Sequence, residues 1–284
     1  MTVMRYELIS EHQIGSAAAK FAANLVQSDG DRVFVVHNDT VNIFASDMSP
    51  LYSVVAEESI TSIDVSRRFL LIQCGSTILA KAHESSAFTK ISPSHGDPLD
   101  HYCVDEQYCW FVSSDRHLCA FDLSSSKPAF RRKLDSSWFA GSLWLRRAPG
   151  KRVVIDVAME QKLGVVSIGE SMNFQESPGQ VGYVLGVEGT DLICYADRLQ
   201  RVAIDELTVV ETYQCDVPCQ DMASLGDGTL LVGVHCVFLL RHGTVSDVEF
   251  GGPGVPSIYR AISLEGGRLV TVHRGGVARL WRRK

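Results

Sequence analysis

The sequence predicts an all-β fold, a seven-bladed β-propeller closed by an N-terminal strand that completes the last blade. Three observations lead to this prediction. Apolar and polar residues alternate in many short runs such as RVFVVH and RLVTVH, a unit of about 40 residues recurs along the chain, and the final unit is one strand short. Patterns typical of long helices are nearly absent.

The recurring unit is marked by an apolar residue that opens its second strand. Successive markers are 37 to 43 residues apart. A period near 40 that holds four short strands is typical of propeller blades, which are small sheets packed face to face. Seven markers therefore predict seven blades. The markers are Val33, Leu70, Trp110, Val153, Leu192, Leu230 and Leu269.

The strands within each unit follow from the same alternation, bounded by Asp, Asn, Gly or Ser. The first unit is predicted to contain strands at residues 21–27, 32–37, 40–46 and 51–57. The third unit is predicted to contain strands at residues 101–105, 109–114, 117–123 and 128–134. The Ala-rich segment 16–26 has an alternative interpretation as a short helix on propensity alone.

The two ends of the chain are predicted to meet in the last blade. The final unit supplies three strands, near residues 258–264, 268–273 and 277–282, and residues 6–11 form a spare strand ahead of the first unit. Placing that strand on the outside of the last blade closes the ring and removes an open edge. No linker or change in composition divides the chain, so we expect a single domain over residues 1–284.

Several hairpins between the second and third strands resemble those of the WD-repeat family. They are FVVHNDTVNIFAS at 34–46, FVSSDRHLCAFDL at 111–123 and LVTVHRGGVARLWRRK at 269–284. No repeat has an intact Trp-Asp pair. At the corresponding places this chain has Phe121-Asp122, Ile204-Asp205 and Trp281-Arg282.

The resemblance has implications for both structure and function. It implies part of the family's buried hydrogen-bond network in the third blade, formed by Ser113 and Asp115 with His95 or His101, whereas packing holds the other blades. It also implies a rigid, non-catalytic platform whose faces and rim bind macromolecules. Loops fixed on stiff sheets favour the same interpretation, because they present broad preformed surfaces.

Motifs of catalytic sites are absent from the sequence. It has no HExxH, no Walker phosphate loop, no G-x-S-x-G elbow and no dinucleotide glycine fingerprint. The cysteines that lie close in sequence are expected to be small buried apolar residues rather than metal ligands. They are Cys103, Cys109 and Cys119 in the third unit, and Cys215 and Cys219 further on. We therefore expect a protein that is not an enzyme and has no cofactor or metal.

Charge is unevenly distributed in a chain of net charge −6. Residues 127–152 contain 8 basic and 1 acidic side chains, net +7, and residues 258–284 contain 7 basic and 1 acidic, net +6. We call these two segments the first and the second basic island. We predict that the first island forms one partner-binding patch on the bottom face and outer strand at the junction of the third and fourth blades. Its residues are Lys127, Arg131, Arg132, Lys133, Arg146, Arg147, Lys151 and Arg152.

Both islands have alternative interpretations. The first patch suits phosphates or an acidic protein segment, but basic residues on an outer strand also guard a sheet edge against aggregation. Arg282, Arg283 and Lys284 of the second island could be a solvated tail.

Aromatic residues suggest a second contact surface on the opposite, top face. Trp138 and Phe139 lie in the loop that enters the fourth blade, where exposed aromatic side chains would anchor a protein partner. The alternative is that they fold back between the blades. Trp144, on the innermost strand, is expected in the core.

The preferred hypothesis is a non-catalytic scaffold or adaptor subunit that binds one or more protein subunits of a larger assembly. Two alternatives stay open. One is an accessory subunit that contacts RNA through the basic patch, such as the partner of a tRNA-modifying methyltransferase, and the other is an enzyme with a site in the central channel. No small-molecule substrate is expected.

The cellular location is predicted from two segments of the sequence, its opening residues and its longest apolar run. The opening segment contains Arg5, Glu7 and Glu11 where a signal peptide needs an apolar core, and the apolar run at 230–240 is too short to span a bilayer. We therefore expect no membrane association and an intracellular location, cytoplasmic or nuclear or both.

Overall fold

In the computed structural model, the regular secondary structure of the described residues is almost entirely β-strand. The structure describes residues 4–13, 25–75, 77–91, 102–113, 115–139, 143–157, 161–168, 172–215, 218–233, 236–251, 258–273 and 276–284. These residues contain 28 strands and two short 3₁₀ helices, Ser136–Phe139 and Glu265–Gly267. They form two compact units, one of residues 1–63 with 213–284 and the other of residues 64–212. That the whole chain is a single domain stays a prediction.

The strands group into seven sets of four consecutive in space, which we call blades. The first strand of each set is its inner strand and the fourth is its outer strand. The first blade has β2 (Val26–Ser28), β3 (Arg32–His37), β4 (Thr40–Ala45) and β5 (Pro50–Val55). The second has β6 (Ser62–Val65), β7 (Phe69–Cys74), β8 (Thr77–Ala82) and β9 (Thr89–Ile91). The third has β10 (Tyr102–Val104), β11 (Tyr108–Val112), β12 (His117–Asp122) and β13 (Lys127–Lys133).

The remaining blades follow the same order. The fourth has β14 (Leu143–Ala148), β15 (Arg152–Val157), β16 (Lys162–Ile168) and β17 (Met172–Glu176). The fifth has β18 (Tyr183–Glu188), β19 (Asp191–Tyr195), β20 (Leu199–Ala203) and β21 (Thr208–Tyr213). The sixth has β22 (Cys219–Leu225), β23 (Gly228–Gly233), β24 (Val237–Arg241) and β25 (Thr244–Gly251). The seventh has β26 (Ile258–Leu264), β27 (Arg268–His273), β28 (Val277–Arg283) and β1 (Met4–Gln13).

The predicted markers of the repeat all lie on second strands and are at most 1% exposed. Tight turns use residues that accept a positive φ. Asn38 has φ 58° between β3 and β4, and His242 and Gly243 have φ 48° and 74° between β24 and β25. Such turns match the twist of paired strands. Of the segment with an alternative helical interpretation, residues 16–24 lie outside the described residues, and Val26 begins β2.

In the unit of residues 64–212, adjacent blades share apolar clusters and hydrogen bonds between their inner strands. Trp110 of the third blade lies in one cluster with Ile155 of the fourth. Asp64 on β6 accepts a 2.7 Å hydrogen bond from the backbone N–H of Val104 on β10. The Arg146 guanidinium on β14 lies 3.4 Å from the carbonyl oxygen of Leu185 on β18. Packing thus joins the third blade to the fourth, and hydrogen bonds join the second to the third and the fourth to the fifth.

The other unit uses the same arrangement. Asp221 on β22 accepts a 3.0 Å hydrogen bond from the N–H of Ala261 on β26. Arg260 on β26 donates a 3.0 Å hydrogen bond to Gln27 on β2, which joins the seventh blade to the first. Both Asp64 and Asp221 contact a residue 40 positions later, so the repeat period also appears in these bonds.

The N-terminal strand closes the last blade, as predicted, and it also pairs with the outer strand of the sixth blade. β1 pairs antiparallel with β28, from Tyr6 opposite Arg283 to Gln13 opposite Val277. Its first residues pair in parallel with the end of β25, from Met4 opposite Val248 to Glu7 opposite Gly251. The sixth and seventh blades consequently form one eight-stranded sheet, with β1 bonded along both edges.

The second basic island stabilises this closure instead of forming a solvated tail. Glu7 on β1 forms ion pairs with Arg282 on β28 and with Lys284, which follows β28. Two further cations, Arg279 and Arg283, bind Glu11 at 2.7 Å and Asp227 at 2.8 Å. Each of these described cations therefore has an acidic partner, which lowers the net positive charge that this island presents. Arg274 lies outside the described residues.

A buried hydrogen-bond network is present in the seventh blade. Trp281 is fully buried, and its indole N–H donates a 2.6 Å hydrogen bond to the Thr271 hydroxyl. That hydroxyl lies 2.6 Å from Nε2 of His273. The expectation that packing holds all blades except the third is thus wrong for this blade. In the third blade Ser113 does bind Asp115 at 2.5 Å, and the proposed partners His95 and His101 lie outside the described residues.

Candidate functional site

The outer strand β13 presents the densest row of basic side chains in the predicted patch. Its sequence KPAFRRK is exposed at every residue except Phe130. Phe130 turns toward the core and lies 5.8 Å from the Trp110 ring, which anchors the strand. β13 is paired with β12 on one side, and its other edge is that of an outer strand. The result is a basic outer edge of the third blade.

The structure does not bring the eight predicted residues into one patch. Lys127 lies opposite Asp122 at one end of β13, whereas Lys133 lies opposite His117 at the other end. A strand of this length spans about 20 Å. The chain continues from Lys133 through the 3₁₀ helix Ser136–Phe139 to the start of β14, and Lys151 follows the other end of β14, the end that corresponds to Lys127. The prediction that residues 131–133 lie beside the bottom face is therefore wrong.

Two arginines of β13 already have partners within the unit. Arg131 forms an ion pair with Asp115, in the turn between β11 and β12. Hydrogen bonds from Ser113 and His117, together with the charge of Arg131, hold the pKa of Asp115 at about 2. That carboxylate is therefore ionised at neutral pH. The guanidinium of Arg132 lies 4.5 Å from the centre of the Phe174 ring on β17, which links the third blade to the fourth.

The other two basic residues of β13 are less constrained. Lys127 and Lys133 are exposed, and no ion pair within the described part of the chain holds either of them. They are consequently the side chains of this strand that are best placed to bind an external anion.

The basic residues of the fourth blade are in different situations. Arg146 is directed toward the inner strand of the fifth blade and is only partly exposed. Arg152 forms an ion pair with Asp205, in the turn after β20. Arg147 and Lys151 are exposed. Two of the four are thus used to join the fourth blade to the fifth.

The predicted aromatic contact surface is mostly buried. Trp138 lies in the 3₁₀ helix Ser136–Phe139 and is 0% exposed, packed 5.7 Å from the Phe174 ring. The Lys162 ammonium lies 4.5 Å from the centre of its ring. Phe139 is partly buried, with the Arg116 guanidinium 5.4 Å from its centre. Trp138 therefore cannot anchor a partner on this surface, because packing between the blades already covers it.

Trp144 is exposed where the sequence predicts it to be buried, the reverse of the case of Trp138. It was expected in the core, but 40% of its surface is exposed on β14. The neighbouring residues Leu143 and Leu145 are buried. Because successive side chains on a strand point to opposite faces, Trp144 lies on the face that does not enter the core.

Asp156 is a buried carboxyl group between the fourth and fifth blades. It is 1% exposed, and its Oδ2 accepts a 3.3 Å hydrogen bond from the N–H of Val184. Within the described residues, its other oxygen and Nε of Arg146 have no hydrogen-bond partner. Burial raises the pKa of Asp156 to about 6, and the opposing charge of Arg146 limits this increase.

This pKa predicts how stability changes with pH. The folded state holds the Asp156 proton more tightly than the unfolded state, in which the pKa is near 3.8, so ionisation destabilises the fold as pH rises from about 4 to 6. Relative to the parent, Asp156→Asn is expected to gain about 3 kcal/mol in unfolding free energy between these pH values. Urea unfolding of both proteins across this range measures the difference. If the unfolding free energies of the two proteins changed equally with pH, the predicted effect of Asp156 would be contradicted.

The cysteines are buried, as expected, apart from Cys236, which is partly exposed. Burial raises the pKa of Cys109 and Cys219 well above the ordinary value, so these thiols are protonated at neutral pH. Sγ of Cys215 lies 3.7 Å from Sγ of Cys219. Among the described residues, no group of three or more His, Cys, Asp or Glu side chains is placed to hold a metal ion.

The described part of the chain also contains no helix that is long and apolar enough to cross a membrane. No protein-family model matches the sequence, and no curated protein matches it.

Comparison with solved structures gives clear likenesses. The structure of U3-55K has a TM-score of 0.70 and 11% identity, and the match covers 96% of this chain and 98% of that one. The WD40 repeats of RRP9 have a TM-score of 0.70 and 12% identity, with 97% and 100% covered. The β-propeller domain of Myceliophteria thermophila Cps50 (Swd1) has a TM-score of 0.71 and 15% identity, with 97% and 99% covered.

These likenesses extend over nearly the whole chain on both sides, and at such identities they show the fold. Together with the seven sets of four strands and the pairing of β1 with β28, they confirm the predicted architecture. The chain therefore has the fold of a WD40 β-propeller, with seven blades and an N-terminal strand that completes the last of them.

Proposed function

We propose that the protein is a non-catalytic scaffold subunit that binds an acidic segment of a partner protein along the outer strand β13. The observation that supports this most is the row of exposed basic side chains on β13, whose two end residues, Lys127 and Lys133, have no ion pair within the described residues. The fold is also one whose rigid sheets suit docking of macromolecules.

An acidic segment fits this edge for two physical reasons. Carboxylates can pair with Lys127, Lys133 and the outer side of Arg131, and an extended chain can follow the strand along its length. Such a surface adds mainly to specificity and to the rate of association, because exposed charge pairs contribute little affinity each. The partner is therefore expected to bind less tightly at high salt.

The test uses the tagged full chain, purified from native extract. The charge-reversal variant Lys127→Glu, Lys133→Glu is expected to lose a stoichiometric protein partner that the parent retains, with affinity at least about tenfold weaker. Both side chains are exposed, so folding is expected to be unchanged, and the melting temperature checks this.

The matched control is Arg147→Glu, Lys151→Glu, which reverses two exposed charges, one near the end of β14 and one in the turn that follows it. It is expected to keep the partner. Loss of the partner only in this control would place the contact at the connection between β14 and β15 and contradict the proposal. Co-purification that ribonuclease abolishes, with binding that weakens steeply with salt, would instead identify the ligand as RNA.

A further inference from the structure

The outer strand of the first blade, β5, presents apolar rather than charged side chains to solvent. Leu51, Tyr52 and Val55 are 50%, 42% and 62% exposed. β5 pairs with β4, from Val55 opposite Thr40 to Pro50 opposite Phe44, and lies at the end of its sheet. Alternate N–H and C=O groups of such a strand point away from its neighbour and can bond to another strand.

The other outer strands differ from β5 in ways that limit strand addition. Each of them contains at least one charged residue, whereas Pro50–Val55 contains none. β13 contains four basic residues, and β25 is covered by β1. Proteins normally guard their sheet edges with charge, proline, bulges, short strands or covering segments. β5 has Pro50 at its start and an irregular register opposite Ile43 and Phe44 but no charge, so its remaining residues leave an apolar edge that a partner could cover.

The charges around β5 indicate which partner fits. Asp47 precedes the strand and Glu57 and Glu58 follow it, and all three are exposed. Of the nearby cations, Arg32 is bound to Asp29 at 2.8 Å. Arg268 lies close enough to Asp47 to assist the hydrogen bonds from Ser49 in lowering its pKa. Acidic side chains thus flank both ends of the strand, while its middle is apolar.

This distribution disfavours a second copy of the same chain. In a two-fold pairing of β5 with itself, antiparallel strands would bring Asp47 of one copy against Glu57 and Glu58 of the other, and like charges in such positions repel. A strand with the opposite charges at its ends meets no such repulsion.

We propose that β5 binds an extended segment of a partner protein, which adds as a further strand to the first blade. The segment has alternating apolar residues in its middle and Lys or Arg at its ends. Main-chain hydrogen bonds to β5 supply affinity, and contacts with Leu51, Tyr52 and Val55 together with the basic ends supply specificity. This surface is separate from β13 and needs a partner segment of opposite charge, so it does not depend on the function proposed above.

The experiment measures binding of two labelled synthetic peptides to the full chain by fluorescence anisotropy. Both have a core of alternating Val and Thr, one with two lysines at each end and the other with two glutamates. The lysine peptide is expected to bind at least about tenfold more tightly, because its ends meet Asp47, Glu57 and Glu58. Bound peptide is also expected to slow amide hydrogen exchange within residues 50–55.

Surface variants make the test specific. Leu51→Ser, Val55→Ser is expected to weaken binding of the lysine peptide about tenfold. The control Val209→Ser, Val210→Ser changes two exposed apolar residues on another outer strand, β21, and is expected to leave binding unchanged.

Three results would overturn the proposal. They are equal binding of both peptides or of neither, binding without slower exchange in β5, and self-association of the protein that the Leu51→Ser, Val55→Ser variant abolishes. The last result would mean that a second copy covers the strand.

Discussion

A chain that lacks residues 1–13 is expected to lose at least about 4 kcal/mol of unfolding free energy, a large loss beside the roughly 5–15 kcal/mol of a domain of ordinary stability. β1 buries Met4 and Tyr6 and is hydrogen-bonded along both edges, to β25 and to β28. Its removal also exposes the edges of two strands and leaves Arg279, Arg282 and Lys284 without their acidic partners. Urea unfolding followed by circular dichroism measures the loss.

The control for this truncation is Ile9→Ser. Ile9 lies on β1 but is 46% exposed, so this change is expected to cost under about 1 kcal/mol. A synthetic peptide of residues 1–13, added to the truncated chain, is expected to restore part of the stability in a concentration-dependent way. An unfolding midpoint that the truncation leaves unchanged would show that β1 does not close the sheet in solution.

Replacing Trp281 by Ala is expected to destabilise the protein by about 3–5 kcal/mol, as for large residues removed from a core. Trp281 is fully buried in the cluster that joins the sixth and seventh blades, and its ring lies 4.8 Å from that of Phe250. The matched control is Trp144→Ala, because Trp144 is 40% exposed and its loss is expected to cost much less. Thermal and urea unfolding give both values. Equal losses of stability would contradict the placement of Trp281 in the core and of Trp144 at the surface.

The hydrogen bonds of Trp281 can be tested separately from its packing. Thr271→Val keeps the shape of the side chain but removes the hydroxyl that contacts Trp281 and His273, which is expected to cost about 1–3 kcal/mol. In the Trp281→Ala background the same change is expected to cost less, because one of its two partners is already gone. Additive losses would show that the network contributes nothing beyond packing.

The sequence alone was sufficient to predict the architecture, because the features that specify a propeller are local and repeated. Alternation locates the strands, the buried markers such as Val33 and Leu269 set the period, and a missing strand at one end together with a spare one at the other predicts closure. The parallel pairing of β1 with β25 was not predicted. It joins the outer strands of two different blades, and the repeat pattern of the sequence contains no signal for such a pairing.

The candidate site was harder to predict because side-chain position depends on register and on neighbouring blades. Basic residues that are close in sequence proved to lie at opposite ends of the strands, as Lys127 and Lys133 do. Trp138 is buried because Phe174 and Lys162, from other strands, cover it. A signal for the Thr271–His273–Trp281 network was present: Thr and His two residues apart on a strand share one face, and Trp281 stood at the expected position.

The position of β1 between β25 and β28 has a consequence for how the protein is made. A ribosome synthesises this strand well before both of its hydrogen-bonding neighbours, which emerge more than 230 residues later. Met4 and Tyr6 must therefore stay exposed to solvent, or bound by a chaperone, until β25 and β28 have also been synthesised. Contacts so distant in sequence form slowly, so we expect β1 to join the sheet only after β25 and β28 are available.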